Sequence, residues 1–220
     1  MSELLTIALN AEGPTDYRFL KPIIERTIKD IILNSDMDIE LYPIHVITKK
    51  YMKTYIEEIL TVAKEAHDSG IKCLILHCDA DSGSSKTTVT CKIKPAIDAV
   101  NNELEPNILC NKIIPLIPIA MTEAWMLADI VLFKNEINAD KIDNKTLNLT
   151  KKSENYSDPK DIIVKAIEIA QKNCTKRHRN LSISELYTPL GQKIPLDKLK
   201  LLTSYKNFYN ELKSTCLPYC

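Results

Sequence analysis

The 220-residue sequence has no excess of charge of either sign, because 29 Lys and Arg balance 29 Asp and Glu. A polyanion would have to be engaged through a local basic patch or a metal, since there is no global positive field. The chain also lacks any run of about 18 apolar residues, which excludes a spanning helix. Its N-terminus has no basic start followed by an apolar signal core. Seven cysteines, at 73, 78, 91, 110, 174, 216 and 220, include no C-x-x-C pair. Cys216 and Cys220 have no companion His/Cys pair at zinc-site spacing, so thiols buried or in the tail are expected rather than a zinc site. Internal repeats and low-complexity segments are missing too. These absences favour a reduced, cytoplasmic protein with no membrane partner.

What is present is ordinary globular usage, 45% hydrophobic and 26% charged, at a length that suits one α/β domain with an elaboration. The apolar run at 4–10 suits a buried strand. Residues 15–33 then place Phe19, Leu20, Ile23, Ile24, Ile28 and Ile31 at helical spacing. Residues 39–47 form a second strand candidate, interrupted by Pro43 and so expected near an edge. A second helix is expected over 54–70, stopped by Gly70. Residues 71–81 are the most continuous apolar run and read as a central strand that ends in acids. A helix over about 92–104, a strand over 112–120 with two prolines, and a helix over 122–133 with Thr122 as N-cap continue the alternation. The pattern predicts a mostly parallel sheet covered by helices.

The stretch 134–158 is polar and reads as an exposed connection. A helix starting with Asp158 as N-cap and Pro159 follows, and one or two more are expected over 196–214. The expected organisation is an α/β core over 1–135 and, over 136–220, the polar connection with a helical extension packed on that core.

Four acidic residues fall at the carboxyl ends of three of the expected strands, where ligands gather in parallel α/β sheets. Glu12 follows the first strand, Asp79 and Asp81 end the third, and Glu123 follows the fourth. Asp79 and Asp81, two apart on an extended chain, point to one side. Clustered carboxylates repel unless a cation neutralises them or one is protonated. Oxygen-only ligands favour Mg²⁺ or Mn²⁺ over Zn²⁺. Each acid also has a plainer reading: Glu12 as a solvated loop residue, Glu123 and Asp16 as first-turn acids favoured by a helix dipole, Asp129 as a surface position.

The phrases "AEGPTDYRFL", "LILHCDADS" and "IAMTEAWMLAD" resemble the TOPRIM fold family over roughly residues 4–133, in particular the small stand-alone, DUF4276-like proteins found beside ATPase genes in prokaryotic defence loci. The resemblance implies a Mg²⁺-dependent nuclease acting on DNA or RNA, in antiviral defence, with an ATPase partner. It implies metal and catalytic roles for Glu12, Asp79 and Asp81, with Glu123 as a candidate for a further metal acid. The run "DADSGSSKTT" departs from the family by supplying no clear extra acid. Two other readings stand beside it: a metal-dependent nucleotide-sugar glycosyltransferase, which has no need of Glu12, and a non-catalytic partner subunit.

Residues 172–180 gather Lys172, Lys176, Arg177, His178 and Arg179 near a helix end. They read as a solvated end that offsets the dipole, or as a phosphate-holding patch if folded over the acids. Lys86, in the loop after Asp81, is a smaller candidate for the same nucleic-acid contact. Trp125, Phe19 and Phe133 are expected in the core. His77 is expected to serve the strand, with proton transfer as its alternative.

Overall fold

A computed structural model describes residues 3–35, 38–80, 85–103, 108–172 and 181–216. Two short strands, β1 (Glu3–Leu5) and β2 (Ile7–Asn10), share the first apolar run. Helix α1 (Pro14–Leu33) follows, with Pro14 at its first position and the Asp16 carboxylate accepting from the Gly13 N–H at 3.0 Å. Strands β3 (Ile39–Leu41) and β4 (His45–Ile47) replace the single strand expected over 39–47, separated by a break that contains Pro43. Proline has no N–H for a ladder, which accounts for the split. Helix α2 (Tyr55–Asp68) opens on a reciprocal Thr54/Glu57 capping box, and β5 (Cys73–His77) is buried throughout.

Every strand pairing among the described residues is parallel. One sheet has the order β4-β2-β5-β6, with β6 at Ile113–Leu116, and β1 pairs with β3 beside it. The expected α/β architecture, a parallel sheet flanked by helices, therefore holds. Alternate side chains divide the core, as a period of two requires. Ile7, Leu9, Ile75, Ile114 and Leu116 face one cluster with α1, while Ala8, Leu74, Leu76 and Ile113 face another with α2 and α4 (Lys94–Asn101).

Several expected elements are redrawn. The helix expected from 92 begins instead with a turn at Ser85–Thr88 (α3) and a π-helical stretch at Val89–Ile93 before α4. The strand expected over 112–120 is shorter; Pro118 and Ala120, whose φ is 64°, follow it. The helix expected over 122–133 is two: α5 (Glu123–Met126) and α6 (Ile130–Glu136). Asp129 causes the division, because its extended backbone and its carboxylate, which accepts from the Val131 and Leu132 N–H groups, make it the N-cap of α6 rather than a plain surface residue.

The connection over 134–158 is not simply exposed, since Ile137, Ala139, Leu147, Leu149 and Tyr156 are buried in the same cluster as α1. Helix α7 (Pro159–Lys172) starts as expected, with Asp158 accepting from Asp161 N–H. Helix α8 (Ile183–Lys193) was not anticipated, although Ser182 and Glu185 form its capping box. Helices α9 (Leu196–Leu199) and α10 (Thr203–Cys216) complete the described residues.

Helix α8 lies directly on α1. A Cβ on Gly191 would stand 2.4 Å from the carbonyl oxygen of Phe19, so only glycine permits this approach. Arg26 of α1 then donates to the carbonyls of Gly191 (2.8 Å) and Ile194 (2.7 Å), closing the end of α8. Trp125, fully buried as expected, donates to the Ser204 hydroxyl at 2.7 Å and meets the Tyr205 ring edge-on at 5.4 Å. Cys73 is disulfide-bonded, and Cys78, Cys91 and Cys110 are free. Among the described residues no helix is long and apolar enough to cross a membrane.

Candidate functional site at the carboxyl ends of β2 and β5

The chain leaves β2 for β4 on one side and later enters β5 on the other, so the strand order reverses between β2 and β5. A crevice opens at such a point in an open parallel sheet. Asn10 is in register with Leu76, so Glu12 and Asp79 emerge from neighbouring strands at similar height.

Asp79 is held from three directions. Its Oδ1 accepts from the Thr122 N–H at 2.9 Å and from the Thr122 hydroxyl at 3.2 Å, and it lies 3.2 Å from His77 Nε2. The hydroxyl of Thr122 also lies 2.9 Å from the same His77 nitrogen. Thr122 is thus not the side-chain N-cap expected of it. Its side chain is spent on the end of β5, and it makes no cap hydrogen bond to α5. Oδ2 of Asp79 has no partner among the described residues.

His77 has a buried side chain, and its Nδ1 has no hydrogen-bond partner among the described residues. Burial works against the imidazolium, but the Asp79 hydrogen bond and the fields of Asp79, Asp16 and Glu12 outweigh it and raise the pKa. Asp16 also has a raised pKa. Burial is the main cause, opposed by His77 and reinforced by the charges of Asp79 and Glu123. These linked effects mark Asp16, His77, Asp79 and Glu123 as one electrostatic neighbourhood.

Glu12 is 40% exposed, and its Oε1 lies 3.5 Å from Lys92 Nζ. Lys92 is carried by the π-helical stretch. It also lies 3.0 Å from Cys78 Sγ and 4.9 Å from the centre of the Tyr55 ring. Burial lowers its pKa, but Cys78 and Glu12 raise it further, so it stays charged. A small cavity of about 10 Å³ is lined by Asn10, Ala11, Glu12, Lys49, Tyr55, Glu58 and His77.

Glu123 is buried, and its Oε1 accepts from the Tyr187 hydroxyl and lies 3.7 Å from Lys160 Nζ. Burial and this carboxylate raise the Tyr187 pKa far above the usual phenol range, so its proton remains available to donate. Arg18 sits over the Tyr187 ring at 5.9 Å.

Asp81, Lys176, Arg177 and Arg179 lie outside the described residues, as does the Lys86 side chain. Among the described residues no three His, Cys, Asp or Glu side chains converge as a metal cluster. Glu12 and Asp79 each keep one carboxylate oxygen without a partner among the described residues, the kind of donor a hard divalent cation takes, while the His77 imidazole and the Cys78 thiol stand close by, each already engaged with Asp79 or Lys92. Of the acids the sequence singles out, Glu12, Asp79 and Glu123 lie among the described residues, after β2, after β5 and at the start of α5. The sequence reading did not foresee the hold of Thr122 on Asp79, of Lys92 on Glu12 or of Tyr187 on Glu123, which depend on contacts across 43, 80 and 64 residues of chain.

No curated protein matches this chain, and no solved structure does. One family model, a domain of unknown function, matches residues 11–206, which includes β5, Thr122 and Tyr187. With nearly the whole chain matched, the protein belongs to the DUF4276 family.

Proposed function

We propose that the protein is a Mg²⁺- or Mn²⁺-dependent nuclease of TOPRIM type that hydrolyses phosphodiesters in DNA or RNA. The observation that carries this reading is the emergence of Glu12 and Asp79 from adjacent parallel strands at the strand-order reversal, with Asp79 held by Thr122 and His77. A glycosyltransferase has no use for an acid at the Glu12 position.

In this reading Asp79 and Asp81 hold the metal, Glu12 binds beside them, and Glu123 contributes its remaining oxygen. When bound, such an ion polarises the phosphate and lowers the pKa of a coordinated water. The protein's own part is positioning. Thr122 and His77 hold Oδ1 of Asp79 in one place, which would leave Oδ2 to the metal without rotamer search. Where it does not ligate the metal, Glu12 Oε2 takes a proton from the attacking water as the new P–O bond forms, while the ester oxygen leaves with the electron pair of the broken P–O bond and takes a proton from solvent. Lys92, beside Glu12, offsets the phosphate's charge.

The resemblance to small stand-alone TOPRIM-like proteins extends the proposal to a role as an effector in prokaryotic antiviral defence with an ATPase partner. Purified protein, alone and with such an ATPase, should cleave single- or double-stranded DNA or RNA only with Mg²⁺ or Mn²⁺. Asp79→Asn and Glu12→Gln should each reduce cleavage at least a hundredfold, on the order expected for loss of a central electrostatic group. Absence of metal-dependent cleavage under all these conditions would refute the nuclease reading.

A further inference from the structure

The connection from Thr48 to Thr54 leaves the carboxyl end of β4, the edge strand next to β2, and so borders the same crevice. It contains Lys49, Lys50 and Lys53 and no acid. Within it Tyr51 is 94% exposed and Met52 is 49% exposed. An aromatic ring presented almost wholly to water, among three cations, makes no packing contribution to the fold.

The root of this loop is rigid. The Ile47 carbonyl accepts from Asn10 Nδ2 at 2.9 Å and lies 3.1 Å from the Tyr17 hydroxyl, which also bonds the Ala11 carbonyl at 2.8 Å. The loop and Glu12 are therefore fixed to one another through residues adjacent to each. Lys50 is engaged by Glu65 of α2 at 2.6 Å, and its N–H donates to Glu58 at 3.3 Å, which pins the middle of the loop. Glu57 is committed to the capping box of α2. Lys49 and Lys53 are exposed and have no ion-pair partner among the described residues, and Lys49 lines the small cavity together with Glu12.

We propose that this loop is a single-strand nucleic-acid contact, in which the Tyr51 ring stacks on an unpaired base while Lys49 and Lys53 take the flanking phosphates. The combination of an exposed aromatic platform with unpaired cations is what sequence-tolerant binding of single strands uses. A duplex keeps its base faces stacked and offers Tyr51 nothing, so the proposal names unpaired DNA or RNA as the substrate class. It also supplies a positive surface that the net charge of the chain does not. The inference deepens the nuclease reading and rests on it for the destination of the bound strand, but binding is measurable without cleavage.

The test uses the full chain in EDTA, with fluorescein-labelled single-stranded and duplex oligonucleotides of equal length read by anisotropy. Wild type should prefer the single strand. Tyr51→Ala should weaken binding about tenfold, within the range for loss of one stacked base. Lys49→Ala/Lys53→Ala should weaken it and reduce the salt slope by about 1 to 2. Tyr51→Phe should bind as wild type, which separates stacking from any effect of the hydroxyl. Equal affinity of wild type, Tyr51→Ala and the double lysine variant would overturn the proposal, as would capture of polyglutamate but not of oligonucleotide. Cleavage with unaltered binding in the loop variants would remove this inference and leave the nuclease reading standing. Loop-dependent binding without any cleavage would do the reverse.

Discussion

Oδ1 of Asp79 lies 2.9 Å from the backbone nitrogen of Thr122, joining the end of β5 to the start of α5 across 43 residues of chain. The Thr122 hydroxyl repeats the connection at 3.2 Å while lying 2.9 Å from His77. Removing that hydroxyl leaves the nearly buried His77 with one fewer partner. Thr122→Val should lower stability by about 1–3 kcal/mol, the cost of stranding a buried polar group. Thr122→Ser should recover most of it. Urea unfolding midpoints at constant m-value would check the pair, and equal stability of Val and wild type would show the bond to be energetically idle.

Tyr187 makes the same kind of link on the other side of the site, donating to the buried Glu123. Tyr187→Phe keeps the ring and deletes the donor, leaving Glu123 with the more distant and half-exposed Lys160. A loss of about 1.5–3 kcal/mol is expected, as for a hydrogen bond to a charged group. Thermal unfolding of the variant beside a Glu123→Gln/Tyr187→Phe double variant would give the coupling. Strictly additive losses would argue against the interaction.

Glycine in a helix is ordinarily improved by alanine, by up to about 1 kcal/mol. Gly191 should behave oppositely, because the new methyl would meet the Phe19 backbone at 2.4 Å and backbone cannot step aside as a side chain can. Overpacking of this kind costs about 1–3 kcal/mol or more. Gly191→Ala should therefore lower the unfolding midpoint. A raised midpoint would mean that α1 and α8 are not as close as described.

Asp143 accepts hydrogen bonds from the hydroxyl and the N–H of Thr146, and these hold its pKa below the ordinary carboxylate value. The unfolded chain then binds more protons than the folded one as pH falls. The stability from this group is present above the unfolded pKa and is lost as pH drops through the folded one. Thr146→Ala should shallow the acid limb of the stability profile while changing its slope near neutrality little. Superimposable acid limbs in wild type and variant would show that Asp143 titrates normally.

Much of the fold was legible because the information is local. The stripe of Phe19, Leu20, Ile23, Ile24, Ile28 and Ile31 is buried as its spacing implies, and the acid-ended run at 71–81 contains the strand Cys73–His77, buried throughout. The reading failed where one residue redirected the backbone. Asp129 ended one helix and began another, Pro43 split a strand, and the Val89–Ile93 π turn reset the helical phase.

The sequence by itself determined that carboxylates follow the first and third strands of the expected alternation, since Glu12 and Asp79 come next in the chain after those apolar runs. It also determined the parallel α/β class, through alternation of buried strands with amphipathic helices. The tertiary structure alone decided which acids are neighbours and what constrains them: Thr122 on Asp79, Tyr187 on Glu123, Lys92 on Glu12. Those pairings are made across tens of residues by strand order and helix packing, and hydrogen bonds of that range leave no period or spacing in the chain to be read.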